Sequence, residues 1–154
     1  MNHQEKNTRG LFFHELKNRY QISLIYYPGC WNDRILDNYF KRNEIVYLDD
    51  DKASARYNVS VIGSYGYYQR FGVFGHSPFK DEVFDAVFHH DNDADKEEFS
   101  DILRVLKSGG IIIHSDSGCE YDLTVKDILS FPGIEAADFP KIHGSYTLLQ
   151  KIRK

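Results

Sequence analysis

Hydrophobic positions along the chain change their period several times, and each change marks an element. Residues 1–9 are polar and unpatterned; Leu11, Phe12, Leu16, Arg19 and Tyr20 then recur as on one face of a short amphipathic helix. Residues 22–27 form an aliphatic and aromatic run closed by Pro28-Gly29, which predicts a buried strand followed by a turn. From Asn32 or Asp33 to Phe40, Ile35 with Tyr39 and Leu36 with Phe40 fall at helical spacing, and either polar residue suits the cap. Residues 44–48 predict a second strand, closed by Asp49, Asp50 and Asp51.

Residues 52–71 read as a poor helix interrupted by Gly63 and Gly66, with a short third strand at 72–75 and a loop through Pro78. Residues 83–89 predict a fourth strand. Phe99, Ile102, Leu103 and Leu106 then sit at i, i+3, i+4 and i+7, the spacing of a helix with one buried face. Gly109-Gly110 reads as the cap that ends it, and residues 111–114 as a fifth strand. A helix over 123–129 and two final strands over 134–139 and 146–152, placed to pair with each other, complete the pattern. Strands alternating with helices through short joins imply right-handed crossovers and an α/β fold: a Rossmann-like, mostly parallel sheet with helices on both faces.

The stretch Phe99-Ser-Asp-Ile-Leu-Arg-Val-Leu-Lys-Ser-Gly-Gly-Ile-Ile-Ile-His114 resembles the helix, LKPGG turn and fifth strand of the class I S-adenosylmethionine-dependent methyltransferases. Phe79 to Phe88, Phe-Lys-Asp-Glu-Val-Phe-Asp-Ala-Val-Phe, is similar to that family's approach to its fourth strand. The resemblance runs from Ile22 onward and implies a three-layer sandwich with an antiparallel C-terminal strand, S-adenosylmethionine as cofactor, and methyl transfer to a small-molecule substrate. It puts the turn containing Tyr27, Pro28, Gly29 and Cys30 under the methionine part of the cofactor. Asp49, with Asp50 beside it, falls where the family binds the ribose hydroxyls, and His76 where the family often sets an acid against the adenine amino group.

The first turn departs from the family. Its strand ends in tyrosine instead of an acid, one glycine remains, and Cys30 or Trp31 stands where a second glycine would. Trp31 either fills the space of the methionine part or turns outward and leaves it open. A non-catalytic protein of this fold, binding a small molecule or a partner, is therefore the alternative reading. After the fourth strand stands His89-His90-Asp91-Asn92-Asp93, not the Asn/Asp-Pro-Pro-Tyr signature of base amine methylation. His89 or His90 is the candidate general base, since an imidazole titrates near working pH.

Composition narrows the picture. At 154 residues, 42% apolar and 27% charged, the chain suits a single globular domain over 1–154, with 1–20 an N-terminal extension and helix. A net charge of −4 offers no broad positive field for a phosphate backbone, so nucleic acid is not an expected partner. The apolar runs are too short for a membrane span, and two cysteines without a secretory segment point to the cytoplasm. Tyr65, Tyr67 and Tyr68 fit a homodimer patch as well as they fit core packing. His76, His89 or His90, Asp91, His114 and Asp116 all fall near strand ends, a ligand set suited to zinc, manganese or iron. A metal-dependent hydrolase or metal-binding role is a lesser alternative, because no compact His-x-x-x-His spacing supports it.

Overall fold

The computed structural model describes residues 3–30, 33–49, 66–68, 77, 79–90, 95–116 and 122–152, and for 3–6, 49 and 66–68 the backbone alone. Helix α1 (His3–Arg19) leads into strand β1 (Ile25–Pro28), two 3-10 turns (Ile35–Asn38 and Arg42–Glu44) and β2 (Ile45–Asp49). Then follow β3 (Gly66–Tyr68), β4 (Phe84–His90), α2 (Lys96–Val105), β5 (Leu106–Ser115), α3 (Val125–Leu129), β6 (Ile134–Ala136) and β7 (Tyr146–Lys151). They form one seven-stranded sheet in the order β3-β2-β1-β4-β5-β7-β6. Strands β1 to β5 run parallel, and β7 returns antiparallel between β5 and β6.

Alternation along the strands divides the core into two layers, because successive side chains leave a strand on opposite faces. One face carries Ile25, Tyr27, Ile45, Tyr47, Ala86, Phe88, Ile111 and Ile113 and packs against Phe12, Phe13 and Leu16 of α1. The other carries Tyr26, Leu48, Val87 and Ile112 and packs against Phe99, Ile102 and Val105 of α2 and Ile128 of α3. The antiparallel C-terminal pairing and the helices on both faces expected from sequence are present.

Several boundaries differ, each for a local reason. Helix α1 begins at His3, inside the stretch read as unpatterned, since a turn that is polar all round leaves no period to see. The helix expected up to Phe40 is a single 3-10 turn, Ile35–Asn38, and the second turn, Arg42–Glu44, follows beyond it. Leu36 and Phe40 are buried as the spacing requires, but Asp33 accepts from the Ile35 amide and the Asn38 side chain donates to the Ile35 carbonyl, bonds that compete with a regular helix. Gly66–Tyr68 lies in the stretch read as a poor helix, yet pairs in parallel with Tyr47, Leu48 and Asp49. The strand expected at 72–75 lies outside the described residues.

The largest difference is at the glycine pair. Helix α2 stops at Val105, and β5 already starts at Leu106, running through Gly109 at a φ of 83° instead of capping there. The Ser108 amide and hydroxyl both donate to Glu82, and the Lys107 ammonium pairs with Asp85, so contacts to the approach of β4 draw the chain out straight. A Cβ on Gly110 would lie 2.5 Å from Leu106 Cδ1 and 2.8 Å from the Lys107 carbonyl oxygen. Gly110→Ala is therefore expected to cost about 1–2 kcal/mol in equilibrium urea unfolding, because the clash includes backbone that cannot rotate away.

Candidate active site at the carboxyl edge

Strand order reverses between β1 and β4: from β1 the chain winds outward through β2 and β3, from β4 outward the other way through β5. Open α/β sheets bind ligands at the carboxyl ends of the strands flanking such a reversal. Here those ends are Tyr27 to Cys30 on one side and His89 and His90 on the other. Antiparallel β7 begins at this edge, with Tyr146 opposite Ser115, and the amino end of α1 reaches it with Thr8 and Arg9.

At the end of β1 the backbone turns at Gly29, whose φ of 62° suits glycine, and the Cys30 amide donates to the Leu48 carbonyl. Pro28 still pairs in register with Leu48, one residue later than the strand predicted from sequence. The side chains of Tyr27 and Cys30 point into the core on the α1 face, and the Tyr27 hydroxyl donates to Asp33 Oδ2 at 2.6 Å. A second tyrosine, Tyr47, donates to Asp37 at 2.7 Å, so the segment after β1 is tied down by two tyrosine–aspartate bonds. Burial first, and then Asp37, raises the Tyr47 phenol above its ordinary range, which keeps it a neutral donor. The backbone of Asp49 ends β2 opposite Tyr68. Trp31, Asp50, His76 and Asp91 lie outside the described residues.

His89 and His90 go to opposite faces of the sheet. His90 follows Phe88 onto the α1 face, stacks on that ring with centroids 5.0 Å apart, and lies beside Tyr27 and Tyr146. Burial pushes the Tyr146 phenol up to about 12, with the Arg9 guanidinium over its ring working against it. Across the same edge, Thr8 and His143 share a hydrogen bond of 2.8 Å. No periodicity distinguishes Arg9, Thr8, His143 or Tyr146, and only the return of β7 and the direction of α1 bring them here.

His89 follows Val87 onto the α2 face and is almost completely buried, its ring edge-on to Phe99 at 5.0 Å. Its register partner on β5 is His114, also buried. The two Nδ1 atoms lie 2.8 Å apart, and His114 Nε2 lies 2.6 Å from Asp116 Oδ1, on a side chain that is mostly exposed. Three groups from two adjacent strands thus form one hydrogen-bonded line from the surface into the core. Burial, and then the charges of His114 and His90, lower the His89 pKa to about 3, so its ring is neutral at ordinary pH. His89 Nε2 is buried and has no partner among the described residues.

Of the metal set expected from sequence, His114 and Asp116 do meet, but as links in this line. His114 spends both nitrogens on it, and His90 faces the other way. Among the described residues no group of three or more His, Cys, Asp or Glu side chains could hold a metal ion. Two open depressions lie at the amino edge, one around Tyr20, Ile22, Lys41 and Glu44 and one around Lys107 and Gly109, away from these groups. Among the described residues no helix is long and apolar enough to cross a membrane.

No protein-family model matches the sequence, and no curated protein matches it. Solved structures do match the fold. A protein of Methanococcus maripaludis, named as a candidate S-adenosyl-L-methionine-dependent methyltransferase, aligns over 99% of this chain and 89% of its own at 13% identity and a TM-score of 0.63. The StiE O-MT segment aligns over 96% of this chain and 74% of its own at 16% identity, TM-score 0.65. The cyclase SpnF aligns over 92% of this chain but 60% of its own, at 16% identity and TM-score 0.62. The fold is that of the class I S-adenosylmethionine-dependent methyltransferases.

Proposed function

We propose that this chain is an S-adenosylmethionine-dependent methyltransferase acting on a small molecule. The observation that carries the reading is the sheet order, reversed between β1 and β4 and closed by an antiparallel β7 inserted between β5 and β6. Two features at the reversal support the cofactor: Gly29 lets the backbone turn sharply at the end of β1, and the Asp49 backbone ends β2, the position that the resemblance assigns to the ribose hydroxyls. The methionine part would lie against the backbone of Pro28 to Cys30, with the Cys30 side chain directed into the core. The bound cofactor would supply an electrophilic methyl group on a sulfonium. What the chain adds is orientation of the acceptor and a place for its proton.

A second reading has its own support. By the resemblance, a tyrosine stands in place of the family's acid and Cys30 or Trp31 in place of a second glycine, and the Tyr27 and Cys30 side chains are taken up in core contacts. Such a turn also suits a protein that keeps the fold without methyl transfer, and SpnF, a cyclase, illustrates that this fold carries other chemistry.

The melting temperature with and without S-adenosylhomocysteine separates the two. A ligand present at about ten times its Kd and binding only the native state adds ~1.4 kcal/mol, a rise of about 3–6 °C for a chain of this size. The rise is expected for the natural protein and should vanish in Asp49→Ala. No shift at millimolar S-adenosylhomocysteine would overturn the methyltransferase reading.

A further inference from the structure

On the α1 side of the carboxyl edge, two hydrogen-bond donors from distant parts of the chain come together. Arg9, in the amino half of α1, and Tyr146, the first residue of β7, are both buried. The guanidinium lies over the Tyr146 ring, 5.8 Å from its centroid, and approaches the phenol without completing a hydrogen bond to it. Tyr146 Oη is thus buried with no hydrogen bond among the described residues. A buried hydroxyl in that state is disfavoured, so an acceptor atom belongs against it. Burial keeps the phenol protonated well above neutral pH, so it donates. A guanidinium is always charged and carries five N–H donors in a fixed fork, so Arg9 can serve a ligand beside its other contacts. Two donors side by side, one of them cationic, select an anionic oxygen group. The charge of Asp33 also reaches this phenol and opposes a dianion, which favours a carboxylate over a phosphate. Tyr146 stands opposite Ser115 at the end of β5, so the pair lies across the reversal from the β1 and β2 ends that the cofactor occupies in the proposed function.

We propose that Arg9 and Tyr146 hold the carboxylate of the methyl acceptor, which is therefore an acidic small molecule anchored at the start of β7. The inference rests on the methyltransferase reading and names the acceptor class for it. One carboxylate oxygen accepts from the Tyr146 hydroxyl and the group lies along the Arg9 fork, whose plane is already fixed against the tyrosine ring. Both partners are shielded from water, so their attraction for an anion is screened less than at an open surface. The rings of His143 and His90, 4.5 Å and 6.3 Å from that of Tyr146, flank the pair, and His90 is only half-buried, which leaves an aromatic face at the edge for the body of the acceptor.

The test is binding of benzoate to the free protein, with benzamide as its uncharged counterpart, followed by proton–nitrogen NMR of the arginine side chains. Millimolar benzoate should shift the Arg9 Nε–H signal, assigned by its loss in Arg9→Gln, and benzamide at the same concentration should not. Arg9→Gln should weaken benzoate about tenfold or more, since an ion pair is lost with the hydrogen bond. Tyr146→Phe keeps the ring against Phe12 and Phe88, so it tests the hydroxyl alone in a folded protein, and it should weaken benzoate about threefold or more. No response to benzoate, an equal response to benzamide, or an unchanged affinity in Tyr146→Phe would overturn the site. The cofactor brings a carboxylate of its own, and S-adenosylhomocysteine compared with methylthioadenosine, which lacks the amino-acid end, separates that source. Arg9→Gln should leave the ratio of their affinities as it is in the natural protein. A selective loss of S-adenosylhomocysteine would assign the pair to the cofactor and overturn the acidic acceptor. Benzoate binding is read without cofactor, so a protein that takes benzoate as expected and not S-adenosylhomocysteine keeps the carboxylate site while the methyltransferase reading fails.

Discussion

Phe88→Ala is expected to lower stability by about 3–5 kcal/mol, the largest loss foreseen for a single substitution. Phe88 is fully buried in β4, which is flanked by strands on both sides. Its ring meets Tyr27 at 4.9 Å, Tyr146 at 5.8 Å and Phe13 at 6.1 Å, so it joins β1, β7 and α1 at one point. Truncation removes these edge-to-face contacts and leaves a cavity among large rigid rings that cannot collapse into it. Phe88→Leu keeps most of the volume and should cost less than half as much. Urea unfolding of both variants measures the difference; equal losses would mean that something other than volume holds this position. The His90 ring rests on Phe88, so the alanine variant should also loosen the α1 side of the carboxyl edge.

Much of this arrangement was legible in the residues themselves. Val87, His89, Ile112 and His114 alternate with Phe88, His90, Ile111 and Ile113, and the two-residue period of a strand places the neighbouring His89 and His90 on opposite faces. Phe99, Ile102 and Leu103 read as a helix because their spacing gathers them on one apolar side. The turn at Gly109-Gly110 was misplaced because its extended course depends on Glu82 and Asp85, more than 20 residues away in sequence. The 3-10 turns after β1 escaped for a related reason: the side chains of Asp33 and Asn38 bond locally, and apolar spacing is blind to that.

The candidate site was legible in its location and not in its wiring. Strand-end polar residues mark the carboxyl edge in any parallel sheet, so His89, His90, His114 and Asp116 could be gathered there from sequence. Whether His89 meets His114 depends on the register of β4 against β5, and that register is set by packing on both faces, with an irregularity between Phe84 and Ala86 that shifts it. The same pairing that makes a hydrogen-bonded line of His89, His114 and Asp116 removes them as a metal set, because shared nitrogens are no longer free to coordinate.

The burial of that line predicts how stability responds to acid. In the unfolded chain His89 takes up a proton below about pH 6.5. In the folded protein it stays neutral until about pH 3, because burial, and then the neighbouring His114 and His90, oppose a charge on its ring. Between those values the unfolded state binds more protons, so stability falls as pH falls, by ~1.4 kcal/mol per unit for this one group. From pH 7 to pH 4.5 the loss attributable to His89 is about 2–3 kcal/mol. Other groups also titrate in this range, so the quantity to measure is the difference in pH slope between the natural protein and His89→Gln, by urea unfolding at several pH values. The variant should be less stable at pH 7, where it loses the bond to His114, and should lose less on acidification. A slope unchanged by His89→Gln would mean that the native ring is protonated in this range and that burial does not hold it neutral.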